Sequence, residues 1–328
     1  MTFMIAPLFA NLGGSGPWTI TVPSGALSSN VTSFPVYIDL ADMPGSFWSS
    51  VASDGGNIRI KQSGSIIPFD VVTISTGGHT GRIFFKADLL SASNNVFTLD
   101  LTGGALLATN DTNGRNNVWT RFNRVYDGAT NADRTGNGAA LTLVGNAAFT
   151  SGQIVFDGAD DFAYVPCSTG ASDFTIFVVG HFDGDIPAGQ HHVIASYATA
   201  GTGSPAFRNS LLIRDTGHWA VWNNTDLWLE SGTAVSLNTD FTAANYHDSP
   251  GVKRAVWLNG VELTSTGSAA TVSGSTPHFT LGGEDDTPAT EFQGKLDLAT
   301  YATEALPSAY LAGLHKNRRD RGNFYTIT

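Results

Sequence analysis

The sequence predicts an all-β protein built from two β-sandwich domains in series, with one short helix near the C-terminus. Only 14% of the residues are charged, 37 are glycine and 41% are hydrophobic, which is typical of turn-rich β-structure rather than of disorder or long helices. Apolar and polar residues alternate over much of the chain, which indicates strands with one buried face. The length of 328 residues exceeds the usual limit of a single hydrophobic core.

Residues 17–102 carry the alternation that defines the first domain. Apolar side chains occupy every second position in Trp18–Val22 and again in Phe34–Leu40, and the whole region contains about six such runs. After Val71 the apolar face moves to Val72, a slip of one residue that a β-bulge would absorb. Glycine-, serine- and asparagine-rich joints separate the runs and supply turns. An antiparallel sandwich is the expected result.

The second domain begins where the alternation resumes after a stretch without any period. The predicted organisation is an N-terminal arm at 1–16, a sandwich at 17–102, a linker at 103–120 and a second domain with a C-terminal helix and tail at 121–328. Phe174–Phe182 is apolar on both faces, so we expect a central strand covered on both sides. Leu258–Val261 contains Asn-Gly, the signal of a tight hairpin. Leu306–His315 is the one segment that indicates a helix.

Six segments of the second domain carry the motifs of a known fold, in its order. They are Asp133–Gly138, Ile154–Pro166, Asp173–Ile176, Ala255–Val261, Phe279–Gly283 and Phe292–Asp297. Across residues 125–316 they resemble the laminin-G-like, concanavalin A-type jelly roll, whose patterns include hydrophobic-F-D-G-x-x-D-aromatic and F-x-G-x-I-D. Tyr246–Pro250 departs from the W-H-H-V strand of that family. The resemblance implies that the second domain is a jelly roll.

The first domain is similar to a domain of unknown function that precedes such jelly rolls in bacterial and phage surface proteins. The segments that carry this similarity are Phe34–Leu40, Phe47–Trp48, Asp54–Ile60 and Ile67–Asp70. The aromatic-Gly-Asn ending of that domain is absent here. The similarity implies two jelly-roll-like sandwiches in series on a surface or particle protein.

Charge and cysteine content limit the partners and the compartment. A net charge of −11 argues against nucleic acid as a partner, because nucleic-acid binding requires a basic surface. The basic run Lys316–Arg321 is interpreted as a solvated surface. Cys167 is the only cysteine, so no intrachain disulfide is possible and folding in a cytoplasm is expected. The apolar start of the chain fits neither a signal peptide nor a membrane span.

The carboxylates of the sequence do not form an enzyme motif. Five glutamates are present, and none lies in the E-x-D-x-x-E pattern of concanavalin-like glycoside hydrolases, which need two facing carboxylates. Glu284 lies in what we interpret as an acidic turn, and G-x-S-x-G, H-E-x-x-H and Walker motifs are absent. His191 and His192 are neighbours on a strand and point to opposite faces, so they cannot hold one metal together. The sequence predicts a protein that is not an enzyme and requires no cofactor.

Calcium is the one cofactor that the sequence leaves open. Jelly rolls of this kind often bind calcium at a sheet edge through loop carboxylates. Asp157, Asp160 and Asp161 are the candidate ligands. The alternative is that Asp157 only forms the hairpin turn with Gly158 and that the other two carboxylates are solvated.

A tryptophan-rich segment is the candidate glycan-binding site. Its members are Trp219, Trp222, Trp228, Asn223, Asn224 and Asp226. Flat rings stack on the C–H faces of sugars, while amides and carboxylates bond to the hydroxyl groups. Trp219 and Trp222 lie on opposite faces if one strand holds both, so at least one belongs to the core. The alternative is that all three rings pack inside the sandwich.

A virion structural protein is the function that reconciles a surface-type fold with a chain that folds in the cytoplasm without an export signal. We expect a head or tail decoration, spike or fibre element of a phage, which assembles as a homo-oligomer or symmetric array with other virion subunits and contacts host surface glycans. The alternatives are a bacterial carbohydrate-binding surface protein and, less favoured, a glycan hydrolase or lyase.

The N-terminal arm is the candidate assembly element. Its apolar members are Met4, Ile5, Leu8, Phe9 and Leu12. They precede a Gly-Gly-Ser-Gly joint that uncouples them from the first strand. We expect the arm to dock onto another subunit; the alternative is that it folds back on its own sandwich.

Overall fold

A computed structural model describes residues 16–167, 173–184, 191–199, 209–223, 227–250, 252–266, 277–283 and 291–328. The described chain is all-β, with four antiparallel sheets and one helix longer than a single turn, which confirms the predicted fold class. The apolar arm residues Met4, Ile5, Leu8, Phe9 and Leu12 lie outside the described residues.

The first unit consists of a five-stranded and a three-stranded sheet. Its strands are β1 Trp18–Val22, β2 Val31–Asp39, β3 Arg59–Gln62, β4 Ser65–Ile66, β5 Phe69–Ser75, β6 Thr80–Leu89 and β7 Asn95–Asp100, with the one-turn helix α1 at Gly45–Trp48. The three-stranded sheet has the order β2-β6-β5, and the larger sheet contains β1, β7, β3 and β4. Alternate side chains of β1 and β2, such as Ile20 and Val36, are fully buried in the core. Between Val71 and Thr73 the register shifts, which confirms the predicted β-bulge.

The second unit is a sandwich of an eight-stranded and a seven-stranded sheet. Its strands are β8 Arg124–Tyr126, β9 Thr142–Val144, β10 Ala148–Thr150, β11 Gln153–Asp157, β12 Phe162–Pro166, β13 Phe174–Phe182, β14 His192–Thr199, β15 Asn209–Ile213, β16 His218–Asn223, β17 Leu227–Ala234, β18 Thr239–Asp248, β19 Lys253–Leu258, β20 Val261–Thr266, β21 Pro277–Leu281 and β22 Gln293–Ala302. The larger sheet has the order β10-β11-β22-β13-β18-β19-β20, with β8 also on β22. The smaller sheet has the order β17-β16-β15-β14-β21-β12-β9.

Strand β13 is the central, doubly covered strand that the sequence predicts. It pairs with β22 on one side and β18 on the other. Ile176 and Val178 face the core of the second unit, whereas Phe177 and Val179 belong to the core of the first. The hairpin at Leu258–Val261 is also confirmed, because Asn259 and Gly260 both adopt positive φ and Leu258 pairs with Val261.

The C-terminal segment returns to the first unit. Helix α2 covers Ser308–Arg319, longer than the predicted Leu306–His315, and strand β23 covers Thr326–Ile327. Leu311 and Leu314 of α2 are buried in the core of the first unit. Strand β23 pairs with β1 and forms the edge of the five-stranded sheet. The sequence assigns this tail to the second domain, and the structure places it in the sheet of the first because β1 offers an unpaired edge.

Helix α2 also satisfies the free edge of β2. The side chain of Asn317, only 1% exposed, accepts a hydrogen bond from the backbone N–H of Tyr37 at 2.7 Å and donates one to its carbonyl at 2.8 Å. At Tyr37, one side-chain amide thus supplies the two backbone hydrogen bonds that a neighbouring strand would otherwise make. The sequence led us to interpret the basic run Lys316–Arg321 as a solvated surface, and this interpretation is wrong for Arg318. Arg318 is 9% exposed and stacks on the Tyr37 ring.

A buried ion-pair network joins the two units. Arg134 of the second unit forms a bidentate contact with Asp70 on β5, and its Nε lies 3.1 Å from a carboxylate oxygen of Asp127. Trp119 donates its indole N–H to Asp70 at 3.2 Å. Burial by itself would lower the pKa of the Arg134 guanidinium, but the two carboxylates outweigh burial and hold that pKa above its usual value. The contact between the units is thus charged, specific and largely excluded from water.

Candidate functional site

The outer face of the seven-stranded sheet is the jelly-roll surface that the first unit leaves uncovered. The outer face of the eight-stranded sheet is occupied, because its residues Phe177, Ala244 and Leu298 pack into the core that contains α2. On the seven-stranded sheet, alternation directs one set of side chains into the core and the other set outward. The outward set includes a small apolar cluster in which Val193, Leu212 and Ala220 are at most 2% exposed, and the partly buried Trp222 and Trp228 pack against them. We call this surface the tryptophan face.

Two stacked tryptophans form the centre of the tryptophan face. Trp222 on β16 and Trp228 on β17 are directly opposite each other in the strand register. Their ring centroids are 5.3 Å apart and their planes differ by 14°. The guanidinium carbon of Arg214 lies 4.7 Å from the Trp228 ring centroid, and the His191 ring lies at the same distance from it. The pair therefore combines flat apolar surface with cationic and imidazole groups.

A hydrogen-bonded carboxylate lies beside the two rings. Glu230 accepts hydrogen bonds from Arg214 at 2.7 Å and from Thr216 at 2.8 Å, and its other close contact is His218 Nδ1 at 2.7 Å. Burial by itself would raise the pKa of Glu230, but the bonds from His218, Thr216 and Arg214 outweigh it and hold the pKa below its usual range. Glu230 is thus a fixed anion that orients three polar neighbours, Arg214, Thr216 and His218.

Trp219 does not belong to this surface. It is 3% exposed, lies in the inner core of the second unit and meets Phe241 edge-on with centroids 5.0 Å apart. Trp219 and Trp222 do lie on opposite faces of one strand, as the sequence predicts. Because the Trp219 ring is buried in the core, Trp219 is not part of the candidate glycan site. The side chain of Asn223 and the candidates Asn224 and Asp226 lie outside the described residues.

Three polar members of the tryptophan face were not recognised from sequence. Arg214, His218 and Glu230 follow from strand parity once the strand bounds are known: His218 shares the parity of Trp222 on β16, and Glu230 that of Trp228 on β17. The turn between β15 and β16 places Arg214 beside them. The alternation that places these side chains on the outer face is present in the sequence, but the strand bounds and the β16–β17 register are needed to identify it.

The three aspartates proposed for calcium do come together. Ligand oxygens of Asp157, Asp160 and Asp161 lie within 4.8 Å of one another, with the first two exposed and Asp161 buried. The buried carboxylate accepts backbone N–H bonds from Asn146 at 2.5 Å and from Asp157 at 2.6 Å. Burial raises the pKa of Asp161 against the effect of these bonds. The arrangement supports the turn and leaves exposed oxygens on one side, so both interpretations of this cluster stay open.

The two neighbouring histidines are separated by their strand. His192 is 4% exposed, with Nδ1 2.5 Å from the carbonyl of Glu291 and its ring edge-on to Phe182. His191 lies on the opposite side, against Trp228. The predicted placement of the two side chains on opposite faces of the strand is confirmed.

In the described part of the chain, no helix has the length and apolar character needed to cross a membrane.

Comparison with known proteins supports the β-sandwich fold of this chain. No protein-family profile matches the sequence, and no curated protein matches it. Domain 4 of a GH43 extracellular arabinanase from Geobacillus stearothermophilus, in complex with arabinotriose, aligns with a TM-score of 0.51 and 18% identity over 60% of this chain and 98% of that domain. This likeness shows a shared β-sandwich fold, as the resemblance to concanavalin A-type jelly rolls implies.

Two further structures align at lower scores. Trypanosoma rangeli sialidase in complex with sialic acid aligns with a TM-score of 0.48 and 13% identity, over 71% of this chain and 42% of that one. The present chain therefore spans less than half of the sialidase. The CBM40 of Ruminococcus gnavus IT-sialidase bound to α2,3-sialyllactose aligns with a TM-score of 0.42 and 17% identity, over 50% of this chain and 96% of that one.

Proposed function

We propose that this chain is a non-enzymatic glycan-binding protein that holds its ligand on the tryptophan face. The observation that carries the proposal is the stacked pair Trp222–Trp228, which lies outside the jelly-roll core and is bordered by the Arg214–Glu230–His218 cluster. Aromatic surface combined with a few fixed polar groups is the composition of small-ligand and sugar sites.

Recognition would depend on two kinds of side chain, the aromatic rings of the two tryptophans and the polar groups beside them. The indoles offer apolar surface that packs on the C–H face of a pyranose or furanose ring and loses little side-chain entropy. Arg214, already oriented by Glu230 at 2.7 Å, donates hydrogen bonds to sugar hydroxyl or carboxylate oxygens. The arabinanase domain of the same fold is in complex with arabinotriose, which supports a sugar as the ligand class.

We further propose that the ligand is bound and released without chemistry. Glycoside hydrolysis needs a general acid whose pKa is raised toward neutrality together with a second carboxylate. Glu230 has the opposite property, because its hydrogen bonds lower its pKa. Incubation with a polysaccharide panel should release no reducing ends. Turnover that disappears in Glu230→Gln would overturn this part of the proposal.

The test of binding is a glycan panel titrated against the full chain and two variants. Trp228→Ala should weaken the binding of a glycan hit by roughly tenfold or more. The substitution removes one stacking surface and the ring against which the Arg214 guanidinium packs. Val261→Ala is the matched control, since Val261 is an exposed apolar residue of the other sheet. Equal binding by wild type and Trp228→Ala would place the glycan site elsewhere.

Placement in a phage particle stays a prediction from the sequence. A virion subunit that assembles as a homo-oligomer and a bacterial carbohydrate-binding surface protein would both use the same tryptophan face. In either setting, repeated copies would add avidity to a weak single site. Finding the chain in purified particles, and losing it when residues 1–12 are deleted, would support the virion assignment; normal incorporation of the truncated chain would contradict the role of the arm.

A further inference from the structure

A cleft of about 650 Å³ opens at the junction of the two units, away from the tryptophan face. The sheet β2-β6-β5 forms one wall with Tyr37 and Arg82. The second unit contributes the turn Ser151–Gly152, which joins β10 and β11, and Gln153, the first residue of β11. The C-terminal segment closes the cleft with Arg318 and its neighbours. Three separate parts of the fold therefore build one cavity.

The cleft concentrates positive charge in an acidic protein. Four arginines line it, although the chain has a net charge of −11. Two of the four are neutralised: Arg319 lies 3.1 Å from Asp297, and Arg321 lies 3.2 Å from Asp39. Both aspartates line the cleft themselves. The remaining two arginines have no carboxylate partner in the described part of the chain, which leaves two formal positive charges.

Arg318 is the deeper of these two arginines. Its side chain is held against the Tyr37 ring, with the guanidinium carbon 3.9 Å from the ring centroid, and the residue is 9% exposed. Its Nε and Nη1 have no hydrogen-bond partner among the described residues. Burial lowers the pKa of Arg318, but a guanidinium stays protonated in proteins. A buried cation with free donors is therefore built into the wall.

Arg82 supplies the second set of donors from strand β6 of the three-stranded sheet. Its Nη1 donates to the carbonyls of Asp127 at 2.9 Å and of Gly152 at 3.1 Å, which fixes the guanidinium in place. Its Nη2 is buried and lacks a partner in the described structure. Buried polar groups are usually satisfied, so unpartnered donors on two anchored arginines that line one cleft favour a ligand acceptor there.

We propose that this junction cleft binds an oxyanion, a carboxylate, sulfate or phosphate group, held between Arg82 and Arg318. The planar fork of a guanidinium matches such groups in a bidentate manner, and its position is fixed before the ligand arrives. The volume is large enough for an anion carried on a single sugar or another small molecule as well as for a free anion. This site is independent of the tryptophan face.

The competing interpretation is that Arg318 is a purely structural cation. Its stacking on Tyr37 and its approach to Phe84, at 5.7 Å, would then compensate its burial without any ligand. The two interpretations differ in one measurable respect. A structural cation predicts no saturable anion binding, whereas the proposed site predicts binding at a stoichiometry of one per chain.

The test is isothermal titration of the full chain with sodium sulfate, inorganic phosphate and D-glucuronate, each in a chloride buffer of constant ionic strength. At least one anion should bind saturably, and the preferred one separates a free inorganic anion from a sugar-borne carboxylate. Arg318→Lys and Arg82→Gln should each weaken that binding by roughly tenfold or more, because a bidentate charged contact is lost. Lys253→Gln is the matched control and should bind the anion as wild type does, because Lys253 lies on β19, pairs with Glu262 and does not line the cleft.

The outcomes separate this proposal from glycan binding. Anion binding lost in Arg318→Lys or Arg82→Gln but retained in Lys253→Gln supports the junction cleft, whether or not any neutral glycan binds. If wild type binds none of the three anions at millimolar concentration, the cleft is not an oxyanion site. Binding that both cleft variants retain, with circular dichroism unchanged, would equally overturn the proposal.

Discussion

At the scale of single residues, the direction of a side chain on its strand decides between core and surface. Trp219 and Trp222 are three positions apart on β16, so they lie on opposite faces. Trp219 fills the sandwich against Phe241, whereas Trp222 packs on Trp228 outside it. Identical residue types on one strand therefore have different roles, one in stability and the other in the proposed binding.

Two alanine variants test this division. Trp219→Ala should lower the free energy of unfolding by about 3–5 kcal/mol, because it leaves a large cavity in a packed core. Trp222→Ala should lower it by only about 1–2 kcal/mol, because this ring is half-buried on the outer face. Urea unfolding monitored by circular dichroism measures both. Equal losses, or a larger loss for Trp222→Ala, would contradict the assigned faces.

Asp161 is the residue of the acidic cluster whose structural role is clearest. Its carboxylate accepts two backbone N–H bonds, from Asn146 and Asp157. Asp161→Ala should therefore lower the free energy of unfolding by about 2–4 kcal/mol, because two donors near the core lose their acceptor. This loss should persist when a chelator is present.

The exposed Asp160 separates the calcium interpretation from the structural one. If the cluster binds calcium, the melting temperature should rise with added calcium in wild type and not in Asp160→Ala. An unchanged wild-type melting temperature would show that the cluster only supports its turn.

At the scale of elements, helix α2 explains how two sandwiches become one molecule. Its Leu311 and Leu314 belong to the core that includes Phe177 of the jelly roll. Its N-terminal end is preceded by Leu306, whose backbone N–H donates to the side chain of Thr175 on β13 at 2.9 Å. Arg121 reinforces the same region through paired bonds to Glu304. The helix is thus shared between the two units.

Asn317 is the most informative position on this helix. Asn317→Ala should lower the free energy of unfolding by about 2–4 kcal/mol, because the N–H and carbonyl of Tyr37 would both lose their partner in a buried setting. Lys316→Ala is the neighbouring control, since this half-buried side chain makes one long contact, 3.3 Å to the carbonyl of Ala26. Chemical denaturation compares them. A loss no greater for Asn317→Ala than for Lys316→Ala would contradict the edge-strand role.

At the scale of the whole molecule, short-range sequence patterns predicted many of the strands and turns. They did not predict the contacts that the C-terminal segment makes with the first unit. Period-two alternation located the bulge after Val71, a run that is apolar on both faces located the doubly covered β13, and Asn-Gly located the hairpin at Leu258–Val261. The pairing of β1 with β23 joins two segments that are far apart in the sequence, and no local pattern signals it. The burial of Arg318 was missed because a basic run in sequence resembles a solvated surface.

Shared burial across the units leads to a prediction for the complete chain. Because α2 and the Asp70–Arg134 network contact both units, we expect a single calorimetric unfolding transition rather than two. Arg134→Gln should weaken this coupling and broaden or split the transition, since it leaves Asp70 buried without its partner. Two resolved transitions in wild type would show that the units are stable independently.

The central claim is that the tryptophan face binds glycans, and the most direct measurement is the indole N–H spectrum of the ¹⁵N-labelled chain during titration with a glycan hit. The seven tryptophans give seven indole signals, which single substitutions assign. We expect the signals of Trp222 and Trp228 to shift together and saturably, while that of Trp219 stays in place. Shifts confined to other tryptophans, or binding without any shift at Trp222 and Trp228, would contradict the claim.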